Sequence, residues 1–471
     1  MVLLAMSVVF YALAGLSAAV YVAVSIVSIY TAARALGKVN DTRHKRLILW
    51  SAMAVNIGIL FFMKYYNYLA LNAFSGHLPQ LSDLIVPLGL SFYTFQSVGY
   101  LLDVYWEKTE PETNIAKYAL FVLFFPQIIQ GPIGRYSHLQ PQLTEGHDFQ
   151  YDRFKKGLIL ILWGLFKKMV IANRLIRLVD PLFDDPGSNN GFMVVIALGA
   201  YSIQQYTDFS GGIDLITGIA ELFGIEMAPN FKRPYFSSSL SEFWRRWHIS
   251  LGAWMKDYVF YPIAMTKTMD RICKFFSKKG GIKAYLGVQM FLCNVTVFLL
   301  VGIWHGPYLH YVYWGLYNGL IIGIESVIKP IMDAKRAKKG ITKPSTIRKL
   351  LAILGTFLIV NFGWFFDRAP SMENAGIMIK KLFTDFHPFG FTLSWLNGFG
   401  LMPNDYFIVA YGVILMLIVS LYDENHKISM RDRLVTIRPV TAWPLIYILL
   451  FTYVAFATSP EGAAAFMYAQ F

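Results

Sequence analysis

The sequence predicts an all-α polytopic membrane protein, and three observations predict it. The chain is 56% hydrophobic and 15% charged over 471 residues, with a mean hydropathy of +0.46, whereas a soluble domain carries about 25% charged residues. The charges are clustered. Met1 to Ala33, Leu47 to Met63, Ala284 to Trp304, Leu350 to Phe366, Tyr406 to Tyr422 and Pro439 to Pro460 contain no Asp, Glu, Lys or Arg, and a helix needs about 20 apolar residues to cross a bilayer core. Finally, the net charge of +13 lies in short connections between these runs. That is the pattern of cytoplasmic loops facing anionic lipid, so the expected partner is the bilayer and not nucleic acid.

Taken in order, the first apolar run lacks the basic start and cleavage site of a signal peptide. It reads as a retained membrane segment bent near Ala14–Gly15, or as the second helix of a longer parent whose first helix is absent. Arg34, Lys38, Arg43, Lys45 and Arg46 place the next loop inside. A helix from Leu47 to Asn72 crosses outward, "SGHLPQLSD" forms an outer linker, and Leu84 to Trp106 returns with interruptions at Pro87 and Gly89. Lys117 to Ile133 ends in "FFPQIIQGPIGRY". Its proline, its glycine and Gln130 are tolerated at membrane depth only against protein or a water-filled cavity.

Phe154 to Leu178 reads as an amphipathic or short spanning helix bearing Lys167 and Lys168. Phe192 to Phe223 is long and apolar but holds Asp208 and Asp214, and intramembrane acids face a cavity or a partner. In "SLSEF", Ser239 or Ser241 with Glu242 resembles a capping box. Two further basic loops, Lys267 to Lys283 and Lys329 to Lys349, belong on the cytoplasmic side. Two passes fit between them, with "WHGP" near the middle. Simple counting puts His305 near the outer surface, whereas a re-entrant arrangement puts it deep in the bilayer. The expected whole is one domain, 1–471, with a core over 84–370 and peripheral helices over 405–460. It holds roughly eleven transmembrane helices plus broken, re-entrant and interfacial ones. No internal repeat is visible.

His305 is the first candidate for chemistry. A neutral imidazole accepts a proton near physiological pH, and Gly302, Gly306 and Pro307 loosen the helix around it. The competing reading is a histidine that glues helices together. A second cluster holds Trp244, Arg245, Arg246, Trp247, His248, Lys256 and Asp257. On one helix Trp244 and His248 would share a face at i, i+4. An interfacial aromatic and basic belt is the alternative. Cys273 and Cys293 have neither disulfide nor metal-ligand spacing. The two histidines lie 57 positions apart with no neighbouring third ligand, so no metal is expected.

"SEFWRRWHISLGAWMKDYVFYPI" and "VGIWHGPYLHYVYWGLYNG" resemble the membrane-bound O-acyltransferases, in particular the bacterial alginate O-acetylase type. "LGLSFYTFQSVGYLLDVY", "FFPQIIQGPIGRY", "DFSGGIDLITGIAELFGIEMAPNFKRPYF" and "NFGWFFDRAP" extend the likeness in family order from Leu84 to Pro370. The D-alanyl transferase of teichoic acid modification is a cousin. The resemblance implies helices around a central funnel that joins the two faces of the membrane. His305 is similar to the family's catalytic histidine and His248 to a second functional histidine of the bacterial branch.

The implied activity is transfer of an acyl group, acetyl foremost, from a cytoplasmic thioester to hydroxyls of an extracytoplasmic polysaccharide or cell-envelope polymer. His305 would act as general base. Trp304 would wall the site, and Arg245, Arg246 and Lys256 would attract a phosphate-bearing donor, with Trp244, Asp257, Asp208 and Gln130 lining the funnel. The donor is a co-substrate (acetyl-CoA, another thioester or an acyl carrier protein), and no bound cofactor is expected. An outer-surface accessory transferase is an expected partner and the cytoplasmic membrane the expected location. Two alternatives stand: D-alanyl transfer to teichoic acid, and a transporter or flippase for a lipid-linked saccharide, in which Asp208 would matter more than His305.

Overall fold

The computed structural model describes residues 1–72, 78–81, 86–278, 280–340, 345–388, 399 and 401–457, with only the backbone at 14 and 16–18. His77, most of the predicted outer linker and the first two residues of the predicted Leu84 helix lie outside these. Helices α1 (Val2–Ala14) and α2 (Leu16–Leu36) meet at Gly15, whose φ of 145° suits glycine. The predicted bend is therefore a break between two helices. Next come α3 (Thr42–Asn72), α4 (Leu90–Tyr105), α5 (Ile115–Leu123) and α6 (Tyr136–Thr144). α4 starts only after Pro87 and Gly89. α5 stops at Leu123, ten residues short of the predicted end, and the "FPQIIQGPIG" stretch runs as turns.

The middle of the chain forms α7 (Tyr151–Leu165), a π-helical turn over Phe166–Ala172, α8 (Asn173–Asp184) and α9 (Gly191–Leu222). Gly164 and Gly211 let α7 and α9 touch: a Cβ on Gly164 would lie 2.5 Å from the Gly211 carbonyl. This contact brings Lys167 to Asp214 at 2.7 Å and Lys168 onto Asp208, with all but Asp214 buried. The intramembrane acids thus face partners, as charge in a low-dielectric setting requires.

Then follow α10 (Leu240–Arg246), α11 (Ile249–Met255), α12 (Tyr261–Ala264), α13 (Lys267–Ser277), α14 (Gly281–His305) and α15 (Leu309–Lys338). α16 (Thr346–Arg368), α17 (Met372–Thr384), α18 (Pro403–Asn425), α19 (Met430–Thr436) and α20 (Pro439–Phe456) are the last of the described helices. Among the described residues there is no strand, only one isolated antiparallel bridge between Phe231 and Trp247.

Among the described residues, six helices are long and apolar enough to cross a membrane: α2, α3, α14, α16, α18 and α20. The remaining helices are shorter, or carry buried polar and charged residues, and the expected eleven is not reached on length and apolarity alone. Large exposed apolar side chains such as Phe407, Ile414 and Phe451 lie on these helices. In water such a surface would be an association patch. Here it is the lipid-facing side of a multi-pass membrane protein. Near the start of α3, Lys45 pairs with Glu107 at 2.9 Å. Its ammonium, hydrogen-bonded to Glu107, holds that carboxyl below the ordinary glutamate value.

α14 and α15 form one antiparallel hairpin. Gly302 faces Gly315, Gly319 faces Val295, Gly323 faces Phe291 and Gly287 faces Val327. Both helices are continuous, so "WHGP" is the turn of a helical hairpin and not a break inside one helix. At 1.5 Å per residue, α14 carries its last residue, His305, about 36 Å from the basic end.

Candidate active site

α14 ends at His305 because Gly306 is extended and Pro307 has no N–H to continue the ladder. The imidazole is buried. Trp304 lies against it at 4.9 Å between centroids, Tyr311 stacks on it at 5.7 Å and Trp314 meets it edge-on at 5.0 Å. Lys64 reaches the same turn, its Nζ donating to the Trp304 carbonyl at 2.6 Å. The indole N–H groups of Trp304 and Trp314 are buried without a hydrogen-bond partner in the protein. Polar groups left so inside a protein are uncommon and point to a place where another molecule is accommodated.

His248 arrives by a different construction. Trp244 and His248 do not share one helical face, contrary to the sequence expectation. α10 closes at Arg246, Trp247 is extended, and His248 sits in the left-handed region at φ 47° and ψ 52° before α11 begins. Asn230 produces this break. Its backbone C=O accepts the Ile249 N–H at 3.0 Å. Its side-chain oxygen accepts the Ser250 N–H at 3.1 Å and the Ser250 hydroxyl at 2.8 Å. His248 Nδ1 lies 3.2 Å from the same oxygen, and the ring meets Phe209 edge-on at 4.9 Å. Eighteen residues upstream, one asparagine turns the backbone and orients the imidazole. Ser239 does cap α10, accepting from the Glu242 N–H at 3.2 Å. The Glu242 carboxylate in turn accepts the Ser238 N–H, so the box is displaced by one residue.

Aromatic contacts join the two histidine segments. Trp314 meets Trp244 at 5.4 Å, and Trp244 donates its indole N–H to Asn318 Oδ1 at 3.0 Å. On the other side Trp304 packs on Phe95, and Phe95 on Trp254 of α11. Trp244 and Trp304 thus flank the contact between the two segments. Gln130 is fully buried with neither amide atom bonded to the protein.

The basic residues separate. Arg246 is committed to Glu242 at 2.8 Å and Glu424 at 3.2 Å. Asp257 binds Arg135 at 2.6 Å. Arg245 and Lys256 are exposed, the latter over the Tyr261 ring. Asp208 is sequestered with Lys168. A cavity of about 250 Å³ adjoins the His248 turn, lined in part by Gln127, Ile133, Arg135, His138, Ile249 and Ser250. No group of three metal-ligating side chains exists among the described residues.

The family model described as MBOAT, membrane-bound O-acyltransferase family, matches residues 111–362, a span that contains both histidines. The chain belongs to the membrane-bound O-acyltransferase family. It is 32% identical to a peptidoglycan O-acetyltransferase of Helicobacter pylori over 76% of this chain and 68% of that one. It is 34% identical to the probable alginate O-acetylase AlgI of Pseudomonas fluorescens over 67% of this chain and 57% of that protein. A teichoic acid D-alanyltransferase of Bacillus subtilis is 28% identical over 60% of this chain and 69% of its own length.

Within this member of the family, sequence reasoning missed Lys64, Asn230, Asn318, Glu325 and Glu424. Lys64 carried a signal: it is the sole Asp, Glu, Lys or Arg between Arg46 and Asp83. The others are ordinary polar residues whose partners lie 18 to 191 positions away. His310, assigned no role from sequence, is buried with Nδ1 2.8 Å from the Phe366 carbonyl oxygen.

Proposed function

We propose that the chain transfers an acyl group, acetyl in the first instance, from a cytoplasmic thioester to a hydroxyl of an extracytoplasmic polysaccharide or cell-wall polymer. The observation that carries this reading is the burial of His305 at the far end of the α14–α15 hairpin. There it is walled by Trp304, Tyr311 and Trp314, and Trp314 packs on Trp244 of the His248 segment. The names of the relatives supply the chemistry of acetyl transfer.

In this mechanism His305 accepts the proton of the acceptor hydroxyl as its oxygen attacks the thioester carbonyl. The tetrahedral intermediate then collapses, an ester forms, and the thiolate leaves and takes up the proton. A base placed this way contributes about 10²–10⁴-fold. Trp304 and Trp314 exclude water that would otherwise hydrolyse the donor. His248, held by Asn230, orients the donor. The donor approaches from the side of the basic loops, where the 250 Å³ cavity adjoins the His248 turn. Arg135 lines that cavity, while Arg246 is engaged in ion pairs and is not available to a phosphate.

Acetyl-CoA or an acyl carrier protein supplies the thioester, and an accessory transferase at the outer face completes delivery to the polymer. The protein resides in the cytoplasmic membrane. The higher identity to the two O-acetyltransferases than to the D-alanyltransferase favours acetyl over D-alanyl. Pairing of Asp208 with Lys168 argues against a transport pathway built on that acid.

The test is mass spectrometry of surface polymers from cells with the protein, without it, and with His305→Gln. Loss of O-acyl esters in the last two, with the variant inserted normally, is expected. Near-normal ester content with His305→Gln would refute the base, and no change on deletion would refute the activity.

A further inference from the structure

The end of α14 poses a hydrogen-bonding problem that α3 solves. A helix leaves its last carbonyls without partners, and at membrane depth water does not supply them cheaply. The Ile303 carbonyl would pair with the N–H of residue 307, but that residue is Pro307. The Trp304 carbonyl would pair with Tyr308, which lies beyond the extended Gly306.

Both gaps are filled from α3. Tyr65 donates its hydroxyl to the Ile303 carbonyl, with the Gly306 carbonyl 3.1 Å away. Lys64 Nζ donates to the Trp304 carbonyl at 2.6 Å and sits 5.1 Å from the centre of the Trp304 ring. Tyr68, one helical turn on from Lys64, meets Tyr308 edge-on at 5.3 Å. Three consecutive outer-end contacts of α3 thus grip the turn on which His305 stands.

We infer that Lys64 and Tyr65 are positioning residues for His305: they cap the broken end of α14 so that the imidazole is presented at a single orientation between Trp304, Tyr311 and Trp314. This rests on the reading of His305 as the base. Neither residue touches the reacting atoms in this proposal. They act through the Ile303, Trp304 and Gly306 carbonyls.

The experiment uses full-length protein in cells whose own copy is deleted. Surface-polymer ester content is normalised to inserted protein, and purified protein in detergent is treated with diethyl pyrocarbonate, with carbethoxylation resolved by peptide. Lys64→Met is expected to lower ester content per molecule by about 10- to 100-fold, the scale of a misplaced catalytic group. Lys64→Arg, which keeps a donor, is expected to stay within about threefold of the parent. Tyr65→Phe, the milder second variant, is expected to fall between them.

Carbethoxylation of His305 should change at least about threefold in Lys64→Met while that of His248 stays constant, because only the former's support is removed. This labelling needs no donor or acceptor, so it reports on positioning even if His305→Gln retains activity and the base reading fails. Unchanged labelling of His305 in both Lys64→Met and Tyr65→Phe would overturn the inference, as would Lys64→Met working at the parental rate.

Discussion

Glu325 accepts the backbone N–H of Ser241 at 2.8 Å and its hydroxyl at 2.6 Å. The helix that starts four residues after His305 therefore also holds the helix that ends two residues before His248. The Leu240 N–H, at 3.0 Å, is the third donor on the same carboxylate. One acidic side chain satisfies the start of α10 and fixes the distance between the two histidine segments.

Replacing Glu325 by alanine strands these donors. A hydrogen bond to a charged group contributes about 1.5–3 kcal/mol, and we expect a loss of that order in thermal unfolding followed in detergent. Ester formation per molecule should fall as well. Ser241→Ala, which removes only the hydroxyl bond to the same carboxylate, should cost less than Glu325→Ala. Equal stability of Glu325→Ala and the parent would contradict this assignment.

The pair Lys168 and Asp208 makes a signed prediction. Asp208→Asn leaves a buried ammonium without its counter-charge, which costs about 3–5 kcal/mol. Removing both charges with Lys168→Met and Asp208→Leu should restore most of the stability, since a buried ion pair and an apolar pair of similar volume are often equivalent. Ester formation is expected to return with it. A double variant that is stable but inactive would instead give Asp208 a role in the reaction.

Gly302 tests the hairpin. A Cβ there would lie 2.3 Å from the Tyr311 carbonyl oxygen, a backbone atom that cannot swing aside. Gly302→Ala should force α14 and α15 apart and destabilise by about 1–3 kcal/mol, moving His305 against Trp314. Gly355 is the control. Nothing lies within 4 Å of its Cβ position, so Gly355→Ala should be neutral or stabilise by up to about 1 kcal/mol. Melting temperatures of the two variants in one detergent provide the comparison.

Helix α18 also reaches the site. Glu424 accepts from Arg233 at 2.7 Å and from Arg246 at 3.2 Å, bracketing the stretch that runs between Asn230 and His248. Arg233 is itself left-handed, at φ 48°. Glu424→Ala releases both guanidinium groups. The expected results are faster limited proteolysis between residues 230 and 248 and ester formation reduced by about tenfold, as misorientation of a donor-binding residue produces. Unaltered proteolysis would return α18 to a purely peripheral place.

Much of the fold was legible along the chain. Runs without charge located α2, α3, α14, α16, α18 and α20, because nothing else of that length is stable in hydrocarbon. Ala14–Gly15 marked a break and Ser239 a cap for reasons local to those residues. His305 stood out because Gly306-Pro307 cannot continue a helix. The turn at His248 was not legible. "FWRRWHISLGAW" has helical periodicity, and a left-handed histidine costs about 1–2 kcal/mol, so local preference argues for a continuous helix. Asn230 overrides it through bonds to Ile249 and Ser250 that no local pattern reveals.

By itself the sequence determined the solvent and the class: a chain whose charge-free stretches require a bilayer, with an imidazole beside a helix-breaking pair. Tertiary structure decided what that imidazole meets. Trp304, Tyr311 and Trp314 surround it, Asp208 is withdrawn into an ion pair, and Arg246 is held by acids from two helices. The reason is physical. Transfer from water to lipid is nearly additive along a chain and can be summed residue by residue, whereas hydrogen bonds and ion pairs depend on the distance between two groups. Only the packed helices set that distance.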